Sequence, residues 1–395
     1  MRNDRKIRVL LVAEATGGGV RRHLLDLLDG LDREQFCVAL AYGTERADDC
    51  FREALPRLTG EGVTLFAIPS LGRSLSPARD LRALSGIVAA VRAFSPDILH
   101  CHSAKAGALG RIAAMICRVE TVFYTPHAYS FEDPALSTGR QEFYRRIERA
   151  LSRMATTLTL NVSQGERDCA LAAGLDLPGK FRVVYNGIGE AKGMSGRLRP
   201  LLGLDPGAVV VGCAARIDAQ KDPDTFLQMV QRIAQEKDAP FFVWIGDGPM
   251  AGRLRQERDR LGLSSRLLLP GFLPDADELV GELDCYLSTS RYEGMPYAPI
   301  EALRAGVPVI ATDVIGNREI AVPGQSGCLF PPQDAAAGAA LLLSELRQPT
   351  ISSEGARRLF EERFSLAQML SEIESLYRQA VERQAAPQPA GTAGR

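Results

Sequence analysis

Glu293 and Glu301 stand eight residues apart in the stretch DCYLSTSRYEGMPYAPIEALRAGVPVIATDVIGNRE, from Asp284 to Glu319. The first falls on a turn with Gly294 and Pro296, the second on the helix that the turn leads into. Between them the backbone amides of Gly294 and Met295 are free to point at a ligand. Pro299 is expected at the first helical position, where its missing N–H removes nothing, which puts Glu301 in a first turn that favours a carboxylate. Taken singly, either glutamate equally reads as a cap or a solvated acid, because helix starts attract acids. Arg216 and Lys221, five apart in ARIDAQKDPDTF, sit on a second loop before a helix. On their own they read as solvated loop charges.

All four histidines fall before residue 128. His100 and His102 are two apart at the end of an apolar run, so on a strand they face the same way. His127 follows Thr125-Pro126 directly after another strand. A metal site needs a third ligand, and no Asp or Glu of suitable spacing stands nearby, so no metal is expected. Local hydrogen bonds at strand ends are the plainer reading for His100 and His102. The loop Gly17-Gly18-Gly19 fails the dinucleotide pattern, since Arg22 occupies the third glycine place and the second strand ends in Tyr42-Gly43 instead of an acid. It serves instead as bare backbone against a phosphate or an acceptor. Asp222-Pro223-Asp224 and Asp275-Ala276-Asp277 spell D-x-D, but both stand at helix starts, where capping accounts for them.

The elements that must hold these residues alternate. Ile7–Ala13 is an apolar run but for Arg8, as a parallel strand covered on both faces requires. Further strands are expected at 37–41, 63–68, 98–101, 121–124, 157–162 and 181–184. After a Gly- and charge-rich linker the alternation repeats, with strands at 209–214, 241–245, 267–269, 285–287 and 307–311. Such alternation predicts doubly wound α/β sheets with ligands at the carboxyl ends of the strands. The segment from Gln141 to Met154 is amphipathic: Phe143, Ile147, Leu151 and Met154 form an apolar stripe, and Arg145, Arg146, Arg149 and Arg153 another face. That basic face is either solvated or touches anionic lipid headgroups or a lipid-diphosphate acceptor.

The Glu-to-Glu spacing, the Arg216–Lys221 loop, Gly246-Asp247-Gly248-Pro249 and the VPVIATD strand together resemble the retaining glycosyltransferases of family four, across nearly the whole chain. That resemblance implies a GT-B fold, two facing Rossmann-like doubly wound domains with a cleft between them. It assigns 1–189 to an acceptor domain, 190–204 to a linker and 205–363 to a nucleotide-sugar domain. Residues 364–383 become a helix returning to the first domain, and 384–395 a tail too poor in apolar groups to fold. In the family's terms Glu301 accepts hydrogen bonds from the ribose hydroxyls, while Glu293 with the Gly294 and Met295 amides holds the donor sugar. Arg216 and Lys221 bind the diphosphate, with help from amides around Gly316 and Asn317. His127, in YTPHAYSF, contacts the donor sugar; Gly17, Gly18, Gly19 and His102 face the acceptor side of the cleft. The family more often has Phe-Gly where Met295-Pro296-Tyr297 stands. The substrate is then a nucleoside-diphosphate sugar, with no cofactor and no metal, and the acceptor a glycan or lipid-linked glycan in cell-surface polysaccharide synthesis. The anomeric configuration is retained, and cleft closure excludes water.

Composition agrees with a soluble two-domain chain: 395 residues, 46% hydrophobic and 24% charged. A net charge of −1 gives no case for nucleic-acid binding. Eight scattered cysteines without a C-x-x-C argue for a reducing cytoplasm and against structural zinc. The expected location is cytoplasmic, peripheral on the inner face of a membrane where the basic helix meets anionic lipid. A nucleotide-sugar 2-epimerase of the same fold and a non-catalytic sugar-nucleotide-binding protein are the other readings.

Overall fold

A strand covered on both faces must be apolar along its length, and in β1 (Ile7–Ala13) the five residues from Val9 onward have no solvent exposure. The computed structural model of the chain describes residues 5–133, 136–193 and 196–385. The chain divides into two compact units: one built from the residues up to Val184 and from Ala367 onward, the other from Tyr185–Leu366.

In the first unit β1 is joined by β2 (Phe36–Tyr42), β3 (Thr64–Ala67), β4 (Ile98–His102), β5 (Thr121–Thr125), β6 (Leu158–Asn161) and β7 (Phe181–Val183). The order is β3-β2-β1-β4-β5-β6-β7, with every pairing parallel. The order reverses between β1 and β4, the switch point where open parallel sheets bind ligands. Ala13, His102 and Thr125 are register partners there, so three strands end level beside that crevice. The helix Leu366–Ala385 completes this unit from far along the sequence, burying Met369, Ile373 and Tyr377. It runs two residues into the tail expected from Gln384; residues 386–395 lie outside those described.

The second unit carries β8 (Val210–Ala214), β9 (Phe241–Ile245), β10 (Leu267–Gly271), β11 (Cys285–Ser288), β12 (Val309–Thr312) and β13 (Gly327–Phe330), ordered β10-β9-β8-β11-β12-β13 and again all parallel. The edge strand β13 was not expected. Its four residues, GCLF, begin with glycine and run into Pro331-Pro332, too short a run to show a period.

Two local expectations need correction. The helix Tyr297–Arg304 begins two residues before Pro299, with Pro296 at its cap, so Glu301 is its fifth residue and no acid lies in the first turn. The amphipathic helix spans Thr138–Ala155, and its apolar stripe is only partly the buried face: Phe143 and Met154 are 55% and 69% exposed, whereas Glu148 and Ser152 are buried beside Leu151 of the stripe. Glu148 turns inward because Arg111 waits there with no exposure, donating to its carboxylate at 2.8 Å while the Tyr124 hydroxyl donates at 3.1 Å. A buried cation must be paired, and this requirement outweighs the apolar stripe.

Candidate active site

In the second unit two loops at the carboxyl ends of β8 and β11 are stitched into one surface. The Arg291 amide donates to the Gln220 carbonyl at 2.8 Å, and the Thr289 hydroxyl reaches the Lys221 and Asp222 carbonyls at 2.9 and 3.0 Å. Asp222 holds a left-handed backbone (φ 51°) while capping the helix Pro223–Ile233, which ends the first loop sharply. Within that loop Asp218 accepts from the Gln220 and Lys221 amides at 3.1 and 3.2 Å and pairs with Arg216 at 2.5 Å.

Lys221 and Glu293, 72 positions apart in sequence, form an ion pair, and Gln220 approaches the other Glu293 oxygen at 3.5 Å. Both side chains of the pair are mostly covered, at 21% and 7% exposure, whereas Arg216 is 68% exposed and reaches outward. Glu301 is 5% exposed. Burial first, and then the nearby Cys213, Glu301 and Glu293, push the Tyr286 phenol well above its usual range. The Gly294 and Met295 amides have no hydrogen-bond partner among the described residues.

Two further loops close on this surface through glycines that admit no side chain. Gly246 (φ 144°) would put a Cβ 2.0 Å from the Ala215 carbonyl oxygen, and Gly316 one 2.4 Å from that of Gly294. The second contact changes an expectation. The Gly316 and Asn317 amides, assigned to the diphosphate, instead donate to the Glu293 and Val314 carbonyls at 3.1 and 3.0 Å. The first braces the Glu293 loop and the second closes its own turn. Both D-x-D segments are structural at their first residue: Asp222 is the cap described, and Asp275, at a helix start, pairs with Arg197.

In the first unit a polar group gathers at the β1–β4 switch point. Gly17 caps the helix Gly18–Gly30, and Gly18 takes the left-handed conformation (φ 62°) that lets the chain turn straight into that helix. Buried Glu14 accepts from the Ser103 hydroxyl at 2.8 Å and pairs with Arg46 at 3.2 Å. His102, fully buried, faces the half-buried His127 with 3.2 Å between Nδ1 and Nε2. His100 lies behind it, bonded to the Tyr377 hydroxyl at 2.5 Å and the Thr125 hydroxyl at 2.8 Å. Burial, and secondarily the other imidazoles, hold His100, His102 and His127 well below the ordinary imidazole range.

His127 and Ala128 both have positive φ, 57° and 108°. The second is uncommon for a residue with a Cβ and persists only where neighbours enforce it. Glu166 is the enforcer: its buried carboxylate accepts from the Ala128 amide at 2.7 Å and the Val162 amide at 2.8 Å. Sequence spacing missed Glu166 and also His23, which the helix Gly18–Gly30 carries to 4.8 Å of His127 between ring centroids. His23 adds a third imidazole to the group, which sequence spacing did not reveal. No linear pattern links residues 23, 102 and 127; only the strand order does.

Two sheets of this topology, each with a polar site at the carboxyl ends of its strands, define a double-Rossmann class, and solved structures place it. HepE from Anabaena, solved with UDP and glucose, superposes with a TM-score of 0.79 at 21% identity, covering 94% of this chain and 100% of that one. The sucrose-phosphate synthase of Thermosynechococcus elongatus gives 0.74 at 19% identity, covering 96% and 100%. These likenesses establish the GT-B fold. Residues 18–187 match the glycosyl transferase 4-like domain and residues 208–348 the family described as glycosyl transferases group 1. The chain belongs to the group 1 glycosyltransferases and is a glycosyltransferase. It is 28% identical over 373 residues to the UDP-Gal:alpha-D-GlcNAc-diphosphoundecaprenol alpha-1,3-galactosyltransferase of Escherichia coli, covering 91% of this chain and 93% of that protein. It is 27% identical to the putative glycosyltransferase EpsD of Bacillus subtilis, covering 79% and 84%. No helix among the described residues is long and apolar enough to cross a membrane.

Proposed function

We propose that the chain moves a sugar from a nucleoside-diphosphate sugar, with retention at the anomeric carbon, to a glycan or lipid-linked acceptor in the synthesis of a cell-surface polysaccharide. The observation that carries this reading is the Lys221–Glu293 pair beside exposed Arg216, set among loops at the carboxyl ends of one parallel sheet. Lys221 and Arg216 take the diphosphate as two cations. Glu293, with the Gly294 and Met295 amides, takes the sugar hydroxyls. Glu301 takes the ribose. His127 acts at the donor sugar, and Gly17, Gly18, Gly19 and His102 bind the acceptor. The leaving diphosphate is neutralised by side chains, so transfer needs no metal.

The relatives' names support the acceptor class. One is named for transfer to a diphosphoundecaprenol-linked sugar, and another, from Rhizobium meliloti, as a lipopolysaccharide core mannosyltransferase. An acceptor of that kind supports a peripheral position at the inner face of a membrane, with the basic helix Thr138–Ala155 towards anionic lipid.

The test is a panel of nucleotide sugars read by thermal shift, followed by transfer to a lipid-diphosphate glycan with the product anomer read by NMR. One donor should raise the midpoint strongly, since binding to the folded state alone stabilises it. Release of a free epimer without an acceptor, or the inverted anomer, overturns the reading.

A further inference from the structure

We propose that His23, His102 and His127 form a binding site for a transition-metal ion of borderline softness, Zn²⁺ foremost. Each ring offers one nitrogen, and the three nitrogens lie within 4.8 Å of one another. His102 Nδ1 and His127 Nε2 are already 3.2 Å apart. Tetrahedral bonds of ~2.0–2.1 Å separate ligand nitrogens by roughly 3.3 Å, so one edge of the coordination polyhedron is in place before any ion binds.

The three rings come from separate elements that are each held from behind. His23 rides on the helix Gly18–Gly30, and His102 ends β4 with the His100 ring packed on it at 4.1 Å between centroids. His100 is in turn fixed by Tyr377 and Thr125, and the His127 turn by Glu166 through the Ala128 amide. Such backing layers are what orient ligands in a metal site. Three imidazoles without a carboxylate also set the choice of ion. They suit Zn²⁺, Cu²⁺, Ni²⁺ and Co²⁺, whereas Mg²⁺ and Mn²⁺ prefer oxygen donors. Three protein ligands leave a fourth position open to water, and half-buried His127 lies on the way in. An ion held there competes with any other use of the His127 ring.

The site shares His102 and His127 with the reading above, so its test reads metal instead of sugar transfer and can fail separately from it. The metal-free full-length chain is titrated with Co²⁺ in excess Mg²⁺. We expect the visible ligand-field bands of four- or five-coordinate cobalt, saturating at one ion per chain and erased by Zn²⁺. If the unaltered chain shows only the pale spectrum of octahedral aquated Co²⁺, the site is wrong, whatever any variant does. His23→Gln and His102→Gln, confirmed folded by circular dichroism, should each weaken Zn²⁺ binding by at least about a hundredfold, more than loss of a backing partner alone. Zn²⁺ affinity undiminished in both folded variants also overturns it.

Discussion

When the sugar–phosphate bond breaks, charge gathers on the departing diphosphate, and a cation fixed beside it stabilises the transition state more than the substrate. Loss of Lys221 or Arg216 should therefore appear in turnover more than in donor affinity. Lys221→Ala is expected to cost about 3–4 kcal/mol of transition-state stabilisation, a hundred- to a thousandfold in kcat. Because it also strips Glu293, only 7% exposed, of its ion pair, Lys221→Ala/Glu293→Gln is the control. The second change should recover stability and leave the rate low. Arg216→Lys should also be slow, since a point charge does not replace a planar fork on two phosphate oxygens. Activity that vanishes in EDTA and returns with Mg²⁺ or Mn²⁺ would contradict this assignment. Glu301→Gln keeps the shape but loses the charge on its hydrogen bonds, so donor Kd in calorimetry should rise roughly tenfold. Arg216, Lys221, Glu293 and Glu301 could be singled out as candidates because each sits in a short local pattern. Glu166 and His23 were not, since what matters about them is the partner that a distant strand or turn brings.

Elements were legible in type and less so in face. Of the thirteen strands among the described residues, twelve could be read from short, mostly apolar runs between turn signals, and β13 could not, because four residues carry no period. The helix Thr138–Ala155 was misread because hydrophobic spacing is blind to Arg111, which pulls Glu148 inward. Its arginines also divide differently from the pattern. Arg149 donates to the Ala173 and Gly174 carbonyls and Arg153 to those of Gly174 and Leu175, tying the helix to the turn at residues 173–175. Among the described residues Arg146, 74% exposed, pairs with Glu142 on its own helix, near exposed Phe143. A lipid-facing role therefore predicts that Phe143→Ser/Arg146→Gln/Met154→Ser abolishes sedimentation with anionic vesicles at unchanged thermal midpoint. If the unaltered protein stays in the supernatant at low salt, the exposed face is simply solvated.

For the molecule as a whole, the doubly wound architecture followed from the alternation alone, whereas the closing of the first unit by its most distant helix is a tertiary fact. Tyr377 has no exposure, and its hydroxyl reaches His100. Tyr377→Phe leaves a buried imidazole nitrogen without its partner, at about 1–3 kcal/mol. In a unit of this size that lowers the midpoint by roughly 2–4 °C per kcal/mol. Calorimetry that resolves two transitions should show one of them shift and the other stay; equal shifts in both, or none, would contradict a role confined to one unit. Closure by that helix also fixes an order of assembly during translation. The contact between His100 and Tyr377 spans 277 positions, so at ~5–20 residues per second it forms roughly 14–55 s after His100 is made. Tyr185–Leu366 is contiguous and is complete before Tyr377 is synthesised. The half of the protein that is made first is thus the half that finishes last. Until then its apolar sheet lacks the cover of Met369, Ile373 and Tyr377, and a nascent chain stalled in that interval is the species most exposed to chaperones and to aggregation.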